Sequence, residues 1–251
     1  MSRIIKTSVL LVSIIAIWWI ASYNTNPIFV PKPQQVFAAF TETLNSGMLL
    51  EALRYSFLRI TIATIMSAAI SIPIGVILFN VKPIRDFVHP VISALRYIPV
   101  TAFYPLLIMW FGIDELMKIT FLFIATFVYM MPSVMLALDE VNQDLIDTGL
   151  TIGMSRTQTI TKIQLPATMP SLMNSFIMMY GIGWTYIAVA ETVNAKFGLG
   201  WIIQQSSSRG RTDLVFMAII TIVIISVLFD TLSKALVKKI FKWRYLNDCS
   251  E

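Results

Sequence analysis

Charge is scarce in this sequence: Asp, Glu, Lys and Arg together make up 13% of 251 residues, against roughly 25% in an ordinary soluble domain. Apolar residues reach 57%, so too little polar surface remains for a water-soluble fold. Cysteine and histidine occur once each, as Cys249 and His89. An internal disulfide is thereby excluded, as is a structural zinc site built from Cys and His. No Gly-x-x-x-x-Gly-Lys-Ser/Thr loop is present, so the chain lacks that means of cradling nucleotide phosphates. No nucleophile, base and acid form a recognisable catalytic pattern. The chain is not expected to be an enzyme, to hold a metal or to bind nucleic acid.

What the sequence does contain is long stretches without charge. A helix needs about 20 mostly apolar residues to cross the hydrocarbon core, and six runs approach that length: 7–23, 60–80, 88–113, 119–138, 167–190 and 214–230. Strands of a membrane barrel would alternate apolar and polar residues. Ile219-Ile220-Thr221-Ile222-Val223-Ile224-Ile225 does not. The expected fold is therefore all-α, a single polytopic domain of about six transmembrane helices with its core at about 50–240. The first run follows Arg3 and Lys6 as a secretory signal would, but it ends Trp18-Trp19-Ile20-Ala21-Ser22-Tyr23, a poor cleavage site. It reads as an uncleaved anchor.

Six spans put both termini on one side of the membrane. With the N-terminus inside, the inner segments carry Arg3, Lys6, Lys82, Arg85, Arg156, Lys162, Lys234, Lys238, Lys239, Lys242 and Arg244. The outer segments carry Lys32, Arg54, Arg59, Lys118, Lys196, Arg209 and Arg211. The bias favours cytoplasmic termini, and the basic tail from Lys234 to Arg244 suits an anionic inner surface. Residues 31–53 carry Val36, Phe37, Phe40 and Leu44 at helical spacing, which predicts an interfacial helix along the outer surface.

In this orientation the polar stretch 139–166 faces the cytoplasm. Leu145, Ile146, Leu150 and Ile152 alternate with Asp139, Glu140, Asp144 and Asp147, which predicts one short helix. Ser155 followed by Gln158 is a capping-box pattern that opens a second. Gly153 between them permits a turn that a side chain would oppose. Pro166 and Pro170 are expected to separate the second helix from the fifth span.

Within this stretch, Asp147-Thr148-Gly149, then Gly153, nine residues, Ile163, one residue and Leu165-Pro166 resemble the coupling loop of binding-protein-dependent ABC-importer permeases, in particular the nitrate/sulfonate/taurine branch. Arg96-Tyr97-Ile98-Pro99-Val100-Thr101-Ala102-Phe103-Tyr104-Pro105-Leu106 with Trp110-Phe111-Gly112-Ile113 is similar to that branch's third span. Ala190-Glu191, Gly198-Leu199-Gly200 and Arg211-Thr212-Asp213 extend the likeness over roughly residues 30–240. The departure lies in the first triplet, where the family usually has Glu-Ala-Ala. Gly149 costs a helix about 1 kcal/mol relative to Ala.

The resemblance implies a multi-pass inner-membrane permease subunit that passes a small solute. It would be a sulfonate- or nitrate-like anion, or a vitamin or its precursor. The resemblance further implies two separate ATPase subunits that bind ATP and Mg, a second permease copy, most simply a homodimer, and an extracytoplasmic solute-binding protein. It makes Asp147, Thr148, Gly149, Gly153, Ile163, Leu165 and Pro166 the ATPase-coupling residues. A secondary transporter or channel driven by an ion gradient is the alternative; such proteins usually carry internal repeats and charged midplane sites, and no clear repeat is seen here.

For the pathway, ionisable groups within spans tend to face a cavity. Arg96 is the first candidate, although it could snorkel to the headgroups; Glu191 and Asp230 sit at span ends, where an interfacial role is equally open. Tyr97 and Trp184 complete the pathway set. Prolines and glycines (Pro73, Gly75, Pro99, Pro105, Pro132, Gly181, Gly183) permit close packing or expose carbonyls. They place the third and fifth spans nearest the pathway. Met173, Met178, Met179, Tyr180, Trp184 and Tyr186 in the fifth span would suit either core packing or a planar ligand, whereas a small anion would prefer Arg96 and helix N-termini.

Overall fold

A computed structural model of the chain describes residues 3–244; Cys249 lies outside the described residues. All regular structure among them is helical. The helices are α1 (Arg3–Asn24), α2 (Pro33–Asn45), α3 (Met48–Asn80), α4 (Lys82–Ala94), α5 (Tyr104–Phe111), α6 (Glu115–Asp139), α7 (Gln143–Thr151), α8 (Arg156–Thr159), α9 (Leu165–Ala190), α10 (Leu199–Ser208) and α11 (Thr212–Ile240). In hydrocarbon no water is available to backbone amides, so an uncharged run satisfies itself as helix.

Among the described residues, four helices are individually long and apolar enough to cross a membrane: 48–80, 115–139, 156–190 and 212–240. The run 7–23 lies within α1. The run 88–113 is not one straight span. It forms two arms, Lys82–Tyr97 and Val100–Phe111, bent by 80°. Pro99 is the cause, because its ring pushes the preceding residue out of the α region; Ile98 is extended at φ −69°, ψ 123°.

A second expectation is corrected at the fifth span. Pro166 and Pro170 do not separate the 139–166 loop from that span, since helix runs unbroken from Arg156 to Ala190. A wide π turn over Ile160–Gln164 precedes Pro166, and the Leu165 N–H donates five residues back to the Ile160 carbonyl. The wider turn relieves the clash a proline ring makes with the preceding turn of an α-helix.

The chain divides into two compact units. The first takes residues up to 57 together with 191–225. In it α2 opens where the Lys32 N–H donates to Gln35 Oε1 at 2.9 Å, and it buries Val36, Ala39 and Thr43. Trp18 stacks on Phe216 with centroids 6.0 Å apart, and its indole N–H donates to the Pro31 carbonyl at 3.1 Å. Arg211 forks onto Asp213 (2.8 and 3.0 Å) and reaches Glu42 at 3.4 Å. The Asp213 carboxylate, before any other group, holds the Arg211 guanidinium protonated beyond the usual arginine range.

The second unit takes residues 58–190 and those from 226 onward. Its core is α6 packed along α9, with Met130, Val134 and Leu138 meeting Leu172 and Met179, and with Ala68 of α3. Small residues set the approach of α3. A Cβ at Gly75 would stand 2.5 Å from Val134 Cγ1, and one at Gly183 would stand 2.7 Å from Ile60 Cγ2. Lipid supplies little hydrophobic drive between helices, so such close backbone contact carries the packing. Arg59, 3% exposed, avoids an uncompensated buried charge by a bidentate pair to Glu115, both bonds 2.7 Å.

Candidate functional site

The 139–166 segment is a compact knuckle. Asn142 opens α7, its side chain accepting the Asp144 N–H at 2.8 Å. The helix closes in a Schellman motif, the Gly153 N–H donating to Leu150 O (3.0 Å) and the Met154 N–H to Gly149 O (3.1 Å). Gly153 takes φ +90°, the left-handed region that favours glycine. The predicted capping box opens α8: Gln158 N–H donates to Ser155 Oγ at 3.3 Å and Ser155 N–H to Gln158 Oε1 at 2.9 Å. At the base of the loop, Arg85 pairs with Asp139 and lies 4.1 Å from the Phe79 ring centre.

The unusual residue of the triplet is the one that lets the two arms meet. Gly149 is buried, and a Cβ there would stand 2.5 Å from Ile163 Cδ1. Ile163 therefore seats on bare backbone, and Met154 and Thr159 close the sides. Asp147 and Thr148 remain exposed on the outer face of α7, with Asp147 accepting from Gln143 Nε2 at 3.1 Å. Ile163, Leu165 and Pro166 line an apolar groove of about 560 Å³ with Leu145, Phe241 and Trp243. The seven residues that the resemblance marks for coupling thus occupy one knuckle and the groove beside it.

The four pathway candidates occupy different surroundings. Arg96 lies in the turn Leu95–Tyr97 beside the helix break, donates through Nε to the Ser93 carbonyl at 3.0 Å, and lies 5.8 Å from the Tyr97 ring centre. Tyr97 is 79% exposed. Trp184 is buried, and its indole N–H has no partner among the described residues. Glu191, in the other unit, is completely buried and accepts from the Ser56 hydroxyl at 2.9 and 3.0 Å and from the Gly200 N–H at 2.8 Å. Ser56 Oγ in turn accepts the Leu199 N–H at 3.0 Å. The carboxylate thus satisfies the start of α10 where the helix dipole favours negative charge. A Cβ at Gly198 would overlap it.

Sequence reading did not single out the polar face of α9. Ser171, Asn174, Ser175 and Thr185 fall on helical spacing and none is buried. That pattern of three and four was the signal available.

These features define a class: a multi-pass helical membrane protein with a structured polar knuckle set on a spanning helix. Residues 69–242 match the family model described as binding-protein-dependent transport system inner membrane component. The chain belongs to that family and is a permease subunit of an ABC importer. It is 29% identical over 237 residues to the taurine transport system permease protein TauC of Escherichia coli, covering 92% of this chain and 86% of that one. It is 28% identical over 233 residues to the putative aliphatic sulfonates transport permease protein SsuC of Bacillus subtilis, covering 92% and 84%. The fold superposes on the inward-facing MetNI methionine ABC transporter with TM-score 0.69 at 19% identity, covering 76% of this chain and 95% of that chain. Family membership sets aside the ion-gradient alternative.

Proposed function

We propose that this permease imports a small sulfonate-like oxyanion, driven by two separate ATPase subunits that bind ATP and Mg and seat against residues 139–166. Two copies of the chain form the membrane part, an extracytoplasmic binding protein delivers the solute, and both termini lie in the cytoplasm. The observation that carries the coupling role is the Gly149–Ile163 contact, which makes the loop a unit that can be pushed as one piece. Around it Leu145, Leu150 and Ile152 stand exposed, Ile152 by 73%. Apolar side chains on an otherwise polar protrusion are what a protein partner would cover.

For the solute, the relatives whose names mention taurine and aliphatic sulfonates support an oxyanion. The aromatic set of the fifth span argues against a planar vitamin. Tyr180 is buried and already stacked on Phe229 with centroids 3.9 Å apart, and Trp184 is buried as well. The open face of α9 instead offers hydroxyl and amide donors, which suit an anion.

The test is co-expression with an ATPase partner and purification through a tag on this chain. Co-purification and ATP hydrolysis stimulated by a sulfonate-loaded binding protein are expected, with both lost on deletion of residues 147–163. Association that survives the deletion unchanged would refute the seat of the motor, and stimulation only by a non-anionic solute would refute the substrate class.

A further inference from the structure

The facing ends of α6 and α9 leave a cleft of about 350 Å³, within the size range of small-ligand sites, roughly 300–1,000 Å³. Its lining sets polar side chains beside Leu136, Ala137 and Met178. Ser133 of α6 and Ser171, Asn174 and Ser175 of α9 supply three hydroxyls and an amide. At the mouth, Glu140 Oε2 accepts from Ser171 Oγ at 3.1 Å and lies 3.6 Å from an Arg244 guanidinium nitrogen. That separation is longer than the roughly 2.7–2.9 Å of a charge-assisted hydrogen bond. Both partners are also partly open, at 39% and 50% side-chain exposure. The pair is loosely made and ready to exchange.

We infer that this cleft is an inner oxyanion subsite of the permease, in which Arg244 and the Ser171, Asn174 and Ser175 donors hold a sulfonate group and Glu140 is the competing carboxylate. The inference rests on the oxyanion reading above. A sulfonate offers only acceptor oxygens, and Arg, Ser and Asn side chains are donors; Ser171 and Ser175 now donate to Glu140 and to the Ser171 carbonyl and would turn from these to the anion. Glu140 cannot donate when ionised, so it competes for Arg244 and repels an arriving anion. A carboxylate in that position keeps retention weak, as a site on a transport route requires. The cleft opens at the end of α6 that enters the coupling loop, so it stands where solute would leave rather than enter.

The test is equilibrium binding of radiolabelled ethanesulfonate to the permease–ATPase complex, without binding protein, in nanodiscs of phosphatidylcholine. Wild type binds, Arg244→Gln weakens binding by about tenfold or more, and Glu140→Gln tightens it several-fold. Opposite signs separate an anion site from a structural ion pair, which both substitutions would weaken alike. Equal loss in the two variants overturns the proposal. A lipid phosphate presents the same chemistry as a sulfonate, so the measurement is repeated with phosphatidylglycerol. Displacement of ethanesulfonate by that lipid assigns the cleft to a head group and overturns the proposal. A wild-type complex that imports a sulfonate but binds none here overturns the subsite alone, whereas one that imports only another solute class overturns the oxyanion reading with it.

Discussion

Substitution at Gly153 isolates the backbone geometry of the knuckle proposed to couple to the motor. The residue sits at φ +90° with nothing within 4 Å of where a Cβ would stand, so a side chain meets no clash and the whole effect is conformational. Alanine in the left-handed region costs roughly 1–2 kcal/mol, which raises the population of alternative turns about 5–30-fold. Asparagine tolerates that region and costs less. Proline fixes φ near −65° and removes the N–H that donates to Leu150 O at 3.0 Å, so the Schellman turn cannot form. The assay is ATP hydrolysis stimulated by loaded binding protein in proteoliposomes, with membrane insertion followed in parallel. Stimulation should fall in the order Gly, Asn, Ala, Pro, with Pro abolishing it while insertion persists. A Pro variant with undiminished stimulation, or an Asn variant as impaired as Pro, would refute the argument that this turn shapes the lever.

Other positions give separable outcomes. Gly149→Ala gains about 1 kcal/mol of helix propensity but drives a Cβ into Ile163 Cδ1; on its own it should weaken coupling, and adding Ile163→Val should restore it in a double-mutant cycle of stimulated ATP hydrolysis. Glu191→Ala strands the Gly200 N–H and the Ser56 hydroxyl in the interior, costing about 1–3 kcal/mol per stranded group and lowering the thermal midpoint in detergent. Glu191→Gln keeps an acceptor and should lose much less. Gly75→Ala overpacks against Val134 at a cost of about 1–3 kcal/mol, and Val134→Ala in the same chain should recover part of the lost melting temperature.

The helix-turn-helix fold of residues 139–166 was legible from sequence because its determinants are local. A Ser155–Gln158 box, a glycine at a helix end and a run of acidic residues between leucines each act over a few residues. The spans were legible for the same reason, since apolar length alone sets them. Prolines were read less well. Pro99 and Pro166 look alike in sequence, yet one marks an 80° bend and the other sits in unbroken helix, because a π turn ahead of Pro166 supplies room that no sequence signal announces. Sites assembled from distant segments were out of reach. The Glu191 carboxylate finds its role only when Ser56 and Gly200 arrive beside it, and the α6–α9 cleft needs Arg244 from the far end of the chain.

Unbroken helix from Arg156 to Ala190 has a mechanical consequence. Its 35 residues make a rod of about 50 Å at 1.5 Å per residue, with the Gly149–Ile163 contact at one end and the Gly183–Ile60 contact near the other. The π turn over Ile160–Gln164 and Pro170 are the points along it where a bend would form. A tilt of about 5° imposed at one tip would move the opposite end of such a rod by about 4 Å. On the coupling role proposed above, a push at the knuckle would reach the far end through this single helix, less whatever those bend points absorb.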